Sequence, residues 1–469
     1  MTINVSKVKT SCEVRKIEDR ISDFKEIILG YSKEEALNEA ARCLNCLNPT
    51  CIAGCPAGNN IPLFIKHIKE DNLSEAYKVL RLTSNMPEIC SRVCDQSRQC
   101  EKHCIRAKNG ESVSIGLLER YVCDNVAENI KNPAVLDSFS KSVAIIGSGP
   151  AGLACAEELI KGGYSVTIFE SEDVFGGLLT YGIPNYRLPY NLVENKINQL
   201  KNSGVVFKNN IKFGVDLTVE DLKYVGFAAI FIAIGTPKAK YMSISGENSD
   251  VIITSNDFLK NVSIKSKNIN NDVKSIIYGR VGVVGGGNSA IDAARSALRI
   301  NGVTSVEIIY RRTRNSMPAA IVEIEDAINE GVILNDLTLP TEIICENTQL
   351  KAVKCVKMYE TEVGSDGRKS VKPVEGSEFF KELDSLIYAI GNDTDDLIAN
   401  IDHIKLNKWK NIEVDEHGKA CDSPLIFAAG DVVSGPSTVV KAMVGGRKAA
   451  HQIDKILKNI VDLQGYCNT

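Results

Sequence analysis

Two runs of cysteine between positions 43 and 104 constrain this chain more than any other feature. Cys43, Cys46, Cys51 and Cys55 form C-x2-C-x4-C-x3-C and are followed by Pro56. Cys90, Cys94, Cys100 and Cys104 form C-x3-C-x5-C-x3-C. Thiolates at such spacings hold iron–sulfur clusters, and a run closing in Cys-Pro resembles the bacterial ferredoxin pattern with wider gaps. Four thiolates also suit zinc, usually as paired C-x2-C knuckles. Here only one C-x2-C is present and the other gaps are irregular. Two cubane clusters need not use all eight cysteines.

The remaining composition narrows the setting. A chain of 469 residues holds two or three domains. Its net charge of −4 argues against a sequence-independent grip on nucleic acid. Met1 to Thr10 is polar, with no secretory signal, and no apolar run reaches membrane-spanning length; Phe227 to Gly235 is among the longest. The expected location is therefore the cytoplasm, away from membranes. In that reducing compartment clustered cysteines are metal sites more often than disulfides.

The first part of the chain, to about Asn132, reads as helical. Ser32-Lys33-Glu34-Glu35 is a capping-box pattern feeding a helix from Ala36 to Arg42, which delivers Cys43 at its end. Ile61 to Glu70 and Leu73 to Leu82 carry helical apolar spacing. The first cysteine run is loop-like, rich in Asn, Pro and Gly, and Lys131-Asn132-Pro133 reads as a linker.

At Lys141 the pattern changes to strand, glycine turn and helix. Strand Ser142 to Ile146 leads into Gly147-Ser148-Gly149-Pro150-Ala151-Gly152, a helix runs to about Lys161, and strand Tyr164 to Phe169 ends at Glu170. This is a complete G-x-G-x-x-G dinucleotide unit. Gly147 permits the tight turn, Gly149 lets backbone approach a pyrophosphate, and Gly152 lets helix and strand pack closely. Pro150 and Ala151 open the helix whose free N–H groups would receive the anion. Glu170 is placed to bind a ribose hydroxyl, which suits FAD or NAD and repels a 2′-phosphate.

A second unit runs from strand Val281–Val284 through Gly285-Gly286-Gly287-Asn288-Ser289-Ala290 to strand Val306–Tyr310. Here Gly285, Gly287 and Ala290 make the G-x-G-x-x-A form. Arg311 and Arg312 follow where the first unit has its acid, and guanidinium groups there match a 2′-phosphate, which points to NADPH. A third element, Ala429-Gly430-Asp431 with a helix from Thr438 and Val439, suits contact with a flavin. The positive end of that helix would favour charge building on the ring.

Together these residues resemble the family of the glutamate synthase small (β) subunit. That family is related to the large subunit of NADH-dependent ferredoxin:NADP oxidoreductase (the Nfn type) and to the N-terminal half of dihydropyrimidine dehydrogenase. The resemblance covers nearly the whole chain. It includes Ala41-Arg42-Cys43-Leu44-Asn45-Cys46, Cys55-Pro56, Ser114-Ile115-Gly116, Gly176-Gly177-Leu178-Leu179, Tyr310-Arg311-Arg312, Met317-Pro318 and Ala429-Gly430-Asp431. It implies an α/β fold in which two Rossmann-like nucleotide-binding domains, a glutathione-reductase-like pair, follow an α-helical iron–sulfur domain. The expected domains are 1–138 for two [4Fe–4S] clusters, 139–265 with 390–469 for FAD, and 266–389 for NADPH. Gly177 and Leu178 join the expected flavin site, and Asn288 the expected nucleotide turn.

The resemblance also implies interleaved ligation. Cys43, Cys46, Cys51 and Cys104 would hold one cluster; Cys55, Cys94, Cys100 and Glu119 would hold the other, leaving Cys90 outside. Two departures stand beside these ligands: Ser91 where the family usually has Gly, and Asp95 where it usually has Pro.

For function, the expectation is an electron-input subunit passing electrons from NADPH through FAD and clusters to a partner. The three domains leave no room among them for an FMN barrel, so a glutamate synthase large subunit is the expected partner. The alternative is the large subunit of a bifurcating transhydrogenase, served by a smaller flavoprotein and ferredoxin; Asp23 to Tyr31 looks closer to that relative. A non-catalytic redox sensor would leave both nucleotide sites superfluous. No catalytic acid or base is expected, since hydride transfer between cofactors requires none.

Overall fold

The computed structural model describes residues 4–126, 141–247, 251–267, 277–363, 369–402, 404–421 and 425–466. The expected linker at 131–133 lies outside them. The capping box forms as read: Ser32 Oγ accepts from Glu35 N–H at 3.3 Å, and the Glu35 carboxylate accepts from Ser32 N–H at 2.8 Å. This starts the helix Lys33–Ala41, which is followed by helices Ile61–Lys69, Leu73–Arg81 and Ile115–Val126. Their apolar faces meet around Phe64, Ile65, Leu80 and Leu118, all without solvent exposure.

Two features depart from the all-helical, loop-like reading of this region. Glu13–Val14 and Ile28–Gly30 form a small antiparallel ladder, and the first cysteine run carries a short helix, Thr50–Gly54. Both are too short to leave a periodic signal in the sequence. The buried Arg42 closes this unit: it pairs with buried Glu39 at 2.7 Å and donates to the carbonyls of Ser112 and Glu111. Glu39 in turn accepts from the Ser114 N–H at 2.8 Å.

Beyond the helices lie two parallel sheets. The first has the order Lys419–Cys421, Ile426–Ala428, Ala229–Ile232, Ser142–Ile146, Ser165–Phe169, Val206–Lys208, parallel except for its first strand. The second has the order Ile333–Asn335, Val303–Ile309, Gly279–Val284, Ser385–Tyr388, Ile252–Thr254 and is parallel throughout. An antiparallel sheet of Thr338–Glu346, Gln349–Val363, Lys369–Pro373 and Phe379–Glu382 extends the second unit.

Strand Ile252–Thr254 corrects the expected boundary at 265. It pairs with Ser385–Tyr388, and the helix after it buries Phe258, Leu259 and Val262 in the second core. The second sheet therefore takes a strand from ahead of that boundary. Among the described residues no helix is long and apolar enough to cross a membrane.

Buried charges join the units. Arg187, on the segment after the first unit's Leu178–Tyr181 helix, grips Asp292 with its Nη1 at 2.8 and 2.6 Å from the two carboxylate oxygens. Its Nε lies 3.0 Å from Glu323. Arg295 pairs with Glu330 at 2.6 Å, and Arg20 from the N-terminal region reaches the same carboxylate at 2.9 Å. The Tyr186 ring lies against the guanidinium groups of Arg295 and Arg299, at 4.9 and 4.3 Å.

The C-terminal helix Val439–Tyr466 lies on the first unit's helix Pro150–Lys161. Gly446 makes this approach possible, since a Cβ there would stand 2.1 Å from the Ala151 carbonyl oxygen, while a Cβ on the adjacent Gly445 would lie 3.1 Å from the Ala429 side chain. Gly446→Ala is therefore expected to destabilise the protein by about 2 kcal/mol and to weaken flavin retention. Lys448→Ala, on the exposed side of the same helix, should change neither. Urea unfolding midpoints and flavin content after gel filtration check both.

Candidate functional site

The first glycine turn is built by close contact. Gly147 has φ +101°, and a Cβ there would lie 2.5 Å from the Ala233 carbonyl at the end of the neighbouring strand. A Cβ on Gly152 would strike the Gly147 carbonyl at 2.0 Å, so the helix rests directly on the turn. Gly149 is different: nothing lies within 4 Å of its missing Cβ, and its backbone faces open space. That space is a groove of about 300 Å³. Gly149, Pro150 and Ala151 line it from the helix start, and Glu170 from the end of the next strand. Gly177 and Leu178 form a second wall; Gly430, Asp431, Thr438 and Val439 form a third.

Glu170 does more than its sequence position implied. Its Oε2 accepts from the Ser148 N–H at 2.9 Å and the Ser148 hydroxyl at 2.5 Å, and Ser148 Oγ accepts from the Gly176 N–H at 2.9 Å. One carboxylate thus ties the glycine turn to the Gly176-Gly177 bend. Asp431 accepts from the Ser437 N–H and hydroxyl at 3.1 and 2.9 Å, while burial pushes its carboxyl up from the usual range. Thr438 Oγ1 is buried with no hydrogen-bond partner. An orphaned hydroxyl, an open glycine backbone and a helix N-terminus on one groove fit a dinucleotide.

The second turn repeats the construction. Gly285 has φ +144° and a Cβ there would meet the Ala389 carbonyl at 2.2 Å, while Gly287 opens on empty space. Ala290 is fully buried, and Asn288 Oδ1 accepts from the Ala320 N–H at 3.0 Å. The two arginines diverge. Arg312 spends its Nε on the Lys369 carbonyl at 3.0 Å, whereas Arg311 is exposed and makes no hydrogen bond or ion pair among the described residues. Glu360 organises their loop: it accepts from the hydroxyls of Thr313 and Ser316, each at 2.7 Å, and these hold its carboxyl down to about 2.

The cysteines fall into two groups. Burial pushes the Cys51 thiol up to about 11, and the neighbouring sulfurs of Cys104, Cys43 and Cys46 add to the effect. Lys69 donates to the Cys43 carbonyl at 2.8 Å and sets a positive charge beside this group. In the second group, burial raises Cys55 and Cys100. Glu119 is a neighbour of both, and Cys100 also faces Cys55. Cys94 meets Cys90 and faces Glu119 and Cys100. Glu119 itself is 7% exposed, and burial, helped by Glu88, pushes its carboxyl up to about 8. Cys90 turns into the core shared with the first nucleotide unit, beside Met86 and Ile89.

Thiolates on one zinc ion stand about 4 Å apart. Among the described residues no three His, Cys, Asp or Glu side chains converge on a single-ion site. The grouped cysteines supply the thiolate donors that an iron–sulfur cluster takes.

Comparison with known proteins finds two matched regions along the chain. The family described as dihydropyrimidine dehydrogenase domain II, 4Fe-4S cluster, matches residues 20–131, and pyridine nucleotide-disulphide oxidoreductase matches residues 141–446. The NADPH glutamate synthase small chain of Azospirillum brasilense is 35% identical, over 95% of this chain and 94% of its own. That of Escherichia coli K12 is 33% identical over 95% of each. The chain belongs to the glutamate synthase small-subunit family. It is an oxidoreductase, with an iron–sulfur domain ahead of a pyridine-nucleotide oxidoreductase fold. The beta subunit of an NADPH-Fe(3+) oxidoreductase from Geobacter sulfurreducens is also similar, at 35% identity over 93% of this chain and 67% of its own. Among solved structures, FprA from Mycobacterium tuberculosis superposes with TM-score 0.58 at 18% identity, over 69% of this chain and 86% of that one. Thioredoxin reductase from T. acidophilum gives 0.51 at 20%, over 67% and 99%. These structures share the fold.

Within this family fold, Ser148, Glu360 and Asn59 carry site geometry that motif reading passed over. Asn59 donates to Glu119 at 3.5 Å, and no sequence signal near it announces that contact. The grouping predicts unequal cysteines. Cys100→Ala should lower iron per chain by about half, whereas Cys90→Ala should leave iron unchanged, as measured by colorimetric iron assay on anaerobically purified protein.

Proposed function

We propose that the chain takes reducing equivalents from NADPH and hands them singly to a partner subunit, as the electron-input component of a glutamate synthase-type enzyme. The observation that carries this reading is the packing of the Cys90–Cys94 segment on the flavin-groove unit. Met86, Ile89, Cys90 and the half-buried Cys94 share one core with Ala151, Leu179, Val440 and Met443. A cluster held in part by Cys94 would border the unit that lines the flavin groove.

When bound, FAD supplies exchange between hydride and single electrons, and [4Fe–4S] clusters supply single-electron transfer. The residues do the rest. Gly147, Gly149 and Gly152, with Glu170, would seat the flavin's dinucleotide end. Gly430, Asp431, Thr438 and Val439 would meet its other end, where the positive end of the C-terminal helix favours negative charge. Gly285, Gly287 and Ala290 would shape the NADPH turn, and Arg311 would take the 2′-phosphate.

Cys55, Cys94, Cys100 and Glu119 would hold the cluster nearer the flavin; Cys43, Cys46, Cys51 and Cys104 would hold the second. Cys51 and Cys55 sit at the two ends of one short helical turn and link the groups. The high thiol pKa values mean that cluster insertion must release protons. Beyond the outer group the surface exposes Leu44, Ile105 and, at 96%, Leu47. That apolar rim supports electron exit to a partner subunit there. The glutamate synthase large subunit is the proposed partner, and the near-full-length match to glutamate synthase small chains favours it over the Nfn-type alternative.

Steady-state reduction of an artificial dye tests this reading. Anaerobically prepared protein should reduce dye with NADPH at far lower concentration than with NADH; flavinated, iron-replete protein without NADPH-driven dye reduction would overturn it. Arg311→Ala should raise the KM for NADPH about 10- to 100-fold and leave that for NADH unchanged.

A further inference from the structure

Arg98 sits in the short turn Gln96–Arg98 between Cys94 and Cys100, yet its guanidinium serves another unit of the molecule. Nη1 donates to the carbonyl of Pro318 at 2.5 Å, and Nη2 to those of Met317 and Ala319 at 3.2 and 3.0 Å. Three successive carbonyls therefore converge on one planar fork, a geometry a lysine ammonium does not reproduce.

The Met317–Ala320 segment roofs the second glycine turn. The Ala319 N–H donates to the Gly286 carbonyl at 3.2 Å, and the Ala320 N–H donates to Asn288 Oδ1 at 3.0 Å. Gly286 itself is pinned from the other side, where a Cβ would lie 2.5 Å from the Tyr310 ring. Tyr310 donates its hydroxyl to the Ser316 carbonyl at 2.9 Å. The turn that would carry the nucleotide pyrophosphate thus takes its shape from a strap whose carbonyl face is held by the cysteine-bearing loop.

The near end of the fork is anchored too. Asp95 Oδ2 lies 3.6 Å from Arg98 Nε, and Ser97 donates its hydroxyl to Asp95 Oδ1 at 2.6 Å. Asp95 thus ties the near end of the fork to its own turn.

We propose that Arg98 is a positioning residue that couples the second cysteine run to the nicotinamide-nucleotide turn. Ordering of the run, by the cluster it would hold, sets the strap and tightens nucleotide binding. By linkage, bound nucleotide holds the run closed to the same degree. The coupling rests on the functional reading above, because it needs both a cluster-bearing run and a nucleotide at the second turn.

Calorimetric titration of anaerobic, flavin- and iron-replete protein with NADP+ tests it. Arg98→Ala should bind NADP+ about tenfold more weakly, within the range usual for coupled sites. Arg98→Lys, which keeps the charge but not the fork, should recover only part of that loss. In a second measurement, saturating NADP+ should slow iron release to a chelator several-fold in the unsubstituted protein and not in Arg98→Ala. Unchanged NADP+ affinity in Arg98→Ala, full affinity in Arg98→Lys, or equal protection of iron in both proteins would overturn the coupling. Should Arg98→Ala fail to assemble, Arg98→Lys carries the test alone, and affinity equal to the unsubstituted protein overturns the proposal. Unsubstituted protein that binds no NADP+ at all would overturn the nucleotide assignment itself, and the coupling with it.

Discussion

The buried charge network around Arg187, Asp292, Glu323, Arg295 and Glu330 is the constraint on which the rest of this structure depends. It draws on the segment after the flavin groove, on two helices of the second unit and, through Arg20, on the N-terminal region. Removing one member of such a set leaves an uncompensated buried charge, at a cost of about 3–5 kcal/mol. The network therefore fixes orientation more than it adds net stability. Orientation is what the proposed chemistry needs, because hydride passes only between groups held about 3–3.5 Å apart and aligned.

A second set of charges performs the same task at the other junction. Glu157, on the helix that opens at Pro150, meets Arg81 from the helical unit and the buried Lys196 from its own. The cysteine-bearing unit is thus clamped on the flavin-groove unit by Arg81 and on the nucleotide unit by Arg20 and Arg98. The redox sites proposed for the three units gain from being held this way. Electron transfer weakens steeply with distance, and a loosely jointed molecule would spend time with its sites apart.

What the amino-acid pattern made legible was whatever sterics force upon it. The glycines of both turns had to be glycines, because Gly147 and Gly285 each face a carbonyl too close for any side chain. The capping box at Ser32 and the strands flanking each turn followed from equally local rules. The interleaving of the cysteines did not; spacing alone left it open, and only family resemblance implied that Cys104 joins the first run and Glu119 the second. Contacts between distant residues were silent altogether. Arg187 and Asp292 are 105 positions apart, and Arg98 reaches a carbonyl 220 positions away. Strand Ile252–Thr254 is too short to declare which sheet it joins. Gly445-Gly446 was a signal left unread: two glycines within one helix are unfavourable unless another backbone must come close.

Anaerobic titration of the purified protein with NADPH and with NADH, followed in the visible spectrum, bears most directly on the central claim that one chain joins a nucleotide, a flavin and iron–sulfur chemistry. NADPH should bleach the flavin band at much lower concentration than NADH, accompanied by broad loss of absorbance from the clusters. Bound flavin that neither nucleotide bleaches would contradict it, since the second glycine turn would then not be a working nicotinamide site.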